Sequence, residues 1–124
     1  MTDVIERVSH RAELLQTCVP LLFNHLYDCY QREGLKAEAV TQLGWTHTAL
    51  LRSVLLQDEV GAEADARQLI DACRSFNVSH EHLAAIQDIW LLDLSKVAAR
   101  LYGDKAYLIA IDEIGREVVG LLEL

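Results

Sequence analysis

"LIDACRSFNVSHEHL", residues 69–83, is the stretch on which the fold turns. Ala66, Leu69, Ile70 and Cys73 recur at steps of one, three and four, the spacing of one buried helix face. "RSFNV" then breaks the pattern, so the chain bends there. Ser79 is a good N-cap for a new helix, and Glu81 falls in its first turn, where an acid is favoured. From Leu83 the apolar steps of three and four resume through Ile86, Trp90, Leu94, Val97 and Leu101. The stretch therefore reads as the end of one helix, a corner and the start of a longer one.

The same period runs outward in both directions. Val4, Val8 and Leu15 suit a first amphipathic helix capped by Thr2 or Asp3. Pro20 falls where a second helix can start, with Leu22, Leu26, Cys29 and Tyr30 on one face and Gly34 at or just past its end. Residues 35–44 hold one short helical piece between two glycines. Residues 46–59 form another helix with Ala49, Leu50, Leu51 and Val54 inward, broken by Gly61, after which 62–74 continue. Gly103 and Asp104 supply a stop and a fresh cap. The last helix carries Leu108, Ile111, Ile114, Val118 and Leu122. The expectation is an all-α single domain, residues 1–124, of six to seven helices.

Composition narrows the function. Apolar residues make up 52%, enough to bury a core without disulfides or a structural metal. No apolar run approaches a membrane span, and "MTDVIERVSH" has no signal-peptide block. A cytoplasmic, bacterial-type protein is expected. The net charge of −8 and the absence of a basic run argue against nucleic acid and anionic membranes as partners. Cys18, Cys29 and Cys73 match neither CxxC nor a zinc spacing, so free thiols in a reducing compartment fit best. No phosphate loop or nucleophile elbow is present, so no enzymatic activity is expected.

Two stretches carry a family resemblance. "PLLFNHLYDCY", residues 20–30, enters a helix on proline and places Tyr27 two turns in. "SFNVSHEHL", residues 75–83, leads from one helix into a long one, and a final long pair follows. In this order the chain resembles the globin family, in particular the single-domain and flavohaemoglobin-type bacterial globins and the globin-like sensor domains. The resemblance covers the whole chain with a shortened middle.

The resemblance implies a ligand pocket lined by Tyr27, by Thr46 or His47, and by Leu50 or Leu51. It places the proximal haem position on Cys73, where the family has histidine. The family's wedge phenylalanine has no counterpart between Gly34 and Gly44; Trp45 is the nearest aromatic. A thiolate can ligate haem iron, but a cysteine on an apolar face more often fills space as a neutral thiol. Tyr27 can equally be an amphipathic core tyrosine, and His47 a cap-region histidine beside Thr46. His80 and His82, two apart on a helix, point to different sides and do not grip one metal.

Three readings follow. The first is a globin-like sensor or regulatory interaction module without conventional haem, acting on a downstream signalling protein. The second is an atypical globin that binds haem and a diatomic gas, with Cys73 or a histidine as ligand. The third is an unrelated helical-bundle adaptor. The apolar last two helices suggest a homodimer through residues from 83–101 and 108–122, with Trp90 as a candidate anchor.

Overall fold

The computed structural model describes residues 11, 13, 23–102 and 105–124. Five helices lie among them and no strand: α1 (23–32), α2 (Ala37–Leu55), α3 (Glu59–Ser75), α4 (His80–Tyr102) and α5 (Lys105–Leu122). Arg11 and Glu13 also have helical backbone. The expected first helix through Val4, Val8 and Leu15 lies outside the described residues, as do Pro20, Leu22, Gly103 and Asp104. No described helix is long and apolar enough to cross a membrane.

Local chemistry sets the corners. α1 stops as expected: Gly34 takes φ +75°, and its N–H donates to the Gln31 carbonyl. α2, α3 and α5 end in one shared motif. In each, a residue at φ +58° (Gln57, Asn77 or Glu123) donates three residues back, and the next residue donates five back. This double bond is the Schellman arrangement, which satisfies carbonyls that the helix end orphans. At "RSFNV" it is completed by Val78, buried under the turn, whose N–H reaches the Cys73 carbonyl at 2.8 Å. Ser79 caps α4 as expected, its Oγ accepting from the His82 N–H at 3.2 Å.

Two boundaries differ from the expected ones. The short 35–44 piece and the 46–59 helix are a single helix, α2. An interior glycine costs a helix only about 1 kcal/mol. Here the buried stripe of Val40, Leu43, His47, Leu50 and Val54 holds Gly44 in line. The break then falls at 56–58 rather than at Gly61. Gly61 sits in the first turn of α3 and donates its N–H to Asp58 Oδ1 at 3.0 Å. A Cβ there would lie 2.3 Å from Asp58 Oδ2, so a larger residue would require the capping carboxylate to shift.

α3 doubles back along α2, the most extensive pairing among α2 to α5, and Ser53 Oγ donates across it to Asp65 Oδ2 at 2.6 Å. α5 doubles back along α4, and it also contacts α2 and α3. One hydrophobic core runs between the layers, with Leu26, Leu43, Leu50, Leu69, Ile86 and Ile114 wholly enclosed. Most expected inward positions are buried. Ala49, Leu101 and Leu108 are exposed, while Ala98, Tyr107 and Ala110 take core places instead. Trp90 does not reach the surface as a dimer anchor. It is 1% exposed and fills the core.

Candidate functional site

The polar heart of the molecule is His47. It comes from the middle of α2, between the buried Leu43 and Leu50, and is 0% exposed. Its Nδ1 lies 2.9 Å from the Tyr30 hydroxyl of α1. Its ring also meets Trp90 of α4 edge-on, with centroids 6.0 Å apart at 83°. Trp90 Nε1 donates to Gln87 Oε1 at 2.6 Å, and Gln87 Nε2 donates to the Gly115 carbonyl of α5 at 3.4 Å. One buried set of polar side chains thus touches α1, α2, α4 and α5.

Electrostatics keep this set neutral. Burial drives the His47 pKa from 6.5 down to about 3, with Gln87 offsetting a little of the shift. Burial likewise pushes the Tyr30 phenol well above its usual value, and the nearby Cys73 and Cys29 thiols add to the rise. The arrangement that satisfies most groups has Tyr30 donating to a neutral imidazole. The other ring nitrogen, Nε2, has no hydrogen-bond partner of ordinary geometry, even though Gln87 is close enough to influence the ring.

The residues singled out from sequence divide into two groups. His47, Leu50, Leu51 and Cys73 are all buried in the core. Tyr27 and Thr46 are only partly buried. Tyr27 packs on Phe23, at 6.1 Å between centroids, and its backbone lies close to Gly44. Thr46 turns its hydroxyl back to the Gln42 carbonyl at 2.7 Å. The tyrosine that meets the interior histidine is therefore Tyr30, one turn beyond Tyr27. Trp45 is 60% exposed and stacks on Phe23 at 4.2 Å. His80 is exposed; His82 Nε2 lies 3.7 Å from Glu33, and His25 Nδ1 3.5 Å from Asp93.

Cys73 is 4% exposed, and burial raises its thiol to about 11. It is a neutral thiol at ordinary pH, not a ready thiolate ligand. The cavity beside it measures about 30 Å³ and is lined by Ile70, Arg74, Val78, Ser79, His80 and Leu83. That is room for a water molecule. The slot is far smaller than a haem, and α3 packs along α2. Among the described residues no group of three His, Cys, Asp or Glu side chains could hold a metal ion.

A second concave region was not foreseen from sequence. An open cleft of about 820 Å³ lies between the α2–α3 corner and α5, with Val54, Ala62 and Leu121 among its lining. Arg11 sits in its wall, only 6% exposed. It donates to the Val54 carbonyl at 2.9 Å and to both carboxylate oxygens of Glu117, at 2.7 and 3.3 Å. The guanidinium thus ties the N-terminal part of the chain to the end of α2 and to α5. No family model, curated protein or solved structure matches this chain.

Proposed function

We propose that this chain is a haem-free, globin-like regulatory module, not an enzyme, that works as a homodimer and signals to a downstream protein. The observation that carries the reading is the set of apolar side chains exposed on the last two helices. Leu92, Leu101, Leu108, Ile109 and Val119 are between 36% and 60% exposed on α4 and α5. Leu108 and Val119 stand about three turns apart on one side of α5, and exposed apolar side chains gathered on one face mark interaction sites. The closed interior supports the same reading. Cys73, at the position the resemblance gives to the haem ligand, is a buried neutral thiol, and the Tyr30–His47 pair joins α1 to α2 inside the core. The globin-like part of the reading rests on the order of elements, a corner after α3 followed by two long helices.

A haem titration tests the reading. Wild type, Cys73→Ala and Cys73→His are expected to show no stoichiometric Soret band that survives gel filtration. Cys73→His is expected to lose about 1–3 kcal/mol of stability by overpacking the small cavity, read by thermal melts. A stable Soret band in wild type that Cys73→Ala abolishes would replace this reading with the thiolate haem protein.

A further inference from the structure

Four positions on the outward face of α5 read the same in kind, apolar, charged, charged, apolar, from either end once charge is inverted. Ile109, Asp112, Arg116 and Val119 follow one another at steps of three, four and three. That spacing makes a single seam on a helix and is the one that paired helices use. Ile109 is 60% exposed and Val119 36%. Asp112 and Arg116 are 3.0 Å apart within the helix and mostly in water. Ile114 marks the midpoint. Asp112 and Arg116 stand two residues to either side of it, Ile109 and Val119 five, Leu108 and Gly120 six.

We infer that two copies of this chain pair α5 against α5, antiparallel and centred on position 114. The inference rests on the self-association proposed above and gives it a register. In this register Ile109 of each copy meets Val119 of the second copy, and Asp112 meets Arg116 of the second copy. Leu108 of one copy meets Gly120 of the other, around which a Cβ would find nothing within 4 Å. The glycine leaves space for the leucine. A parallel pairing would set Asp112 against Asp112 and Arg116 against Arg116, which repel. A face that complements itself under a two-fold axis fits an identical partner, since each contact occurs twice. The chain carries a net charge of −8, so two copies repel at long range, and the paired Asp112 and Arg116 counter this locally. Behind the seam, Leu91 of α4 packs on Gly115.

A charge swap tests the register. Wild type, Asp112→Arg, Arg116→Asp and the double swap are compared by sedimentation velocity across a concentration series. Circular dichroism melts confirm that all four fold. Wild type is expected to dimerise. Each single variant sets like charges together twice and weakens the dimer about tenfold or more. The double swap restores opposite charges on both sides and returns the affinity to near wild type. A dimeric wild type whose affinity neither single variant changes overturns the register and leaves self-association standing. So does a double swap no tighter than the singles. A monomeric wild type at tens of micromolar overturns both this register and the self-association on which it rests.

Discussion

His47 shows how much one buried residue constrains. Its imidazole is neutral in the folded chain, with a pKa of about 3 against 6.5 when exposed. The unfolded chain therefore binds a proton that the folded chain refuses. The stability that follows is complete above pH 6.5 and falls as pH drops from there toward 3. One proton is worth about 1.4 kcal/mol per pH unit, so this group alone removes about 2 kcal/mol by pH 5. Urea melts between pH 7.5 and 4.5 are expected to show that loss in wild type and a shallower one in His47→Gln, which keeps a partner for Tyr30. Equal slopes in the two proteins would show that other groups govern the acid sensitivity.

The α2–α3 corner makes two opposite predictions for the helices it joins. Gln57 holds φ +58°, where an L side chain is strained and glycine is not. Gln57→Gly is expected to stabilise the protein by about 0.5–1 kcal/mol, after allowing for glycine's greater freedom when unfolded. Gly61→Ala pushes a methyl group into the Asp58 carboxylate and displaces the cap of α3. It is expected to cost about 1 kcal/mol, although alanine is the better helix former elsewhere. Thermal melts of the two variants settle both signs. A stabilised Gly61→Ala would mean that the Asp58 cap contributes nothing.

Across the whole molecule, Arg11 is the longest-range polar tie described. It joins α5 at Glu117 and the C-terminal end of α2 at Val54. Both partners lie far away in sequence, so the contact forms only when the helices have assembled. Arg11→Gln removes the ion pair while keeping a polar side chain in the wall of the cleft. It is expected to cost about 1–3 kcal/mol in urea melts, because a buried charged hydrogen-bonding group is lost. A change under a few tenths would show that water replaces the guanidinium without penalty.

What the sequence by itself determined is what depends on near neighbours. Apolar residues at steps of three and four specified helices throughout, and all five described elements are helical. Ser79 and Gly34 marked an N-cap and a helix stop because caps are local chemistry. Leu26, Cys29 and Tyr30 were placed inward together because they share one stripe of one helix. Only the tertiary structure decided which polar residues meet. Each residue turns a helix by about 100°, so the choice between Thr46 and His47, or between Tyr27 and Tyr30, depends on how α1 and α2 are rotated against their neighbours. Spacing does not record that rotation; packing sets it. The same holds for Trp90, whose apolar ring suits a core or an interface equally until Gln87 and His47 are seen to enclose it. It holds too for Gly44, whose helix-breaking tendency of about 1 kcal/mol yields to the burial of the stripe around it. Long-range packing energies outweigh such local preferences, and they come from residues that no window along the chain contains.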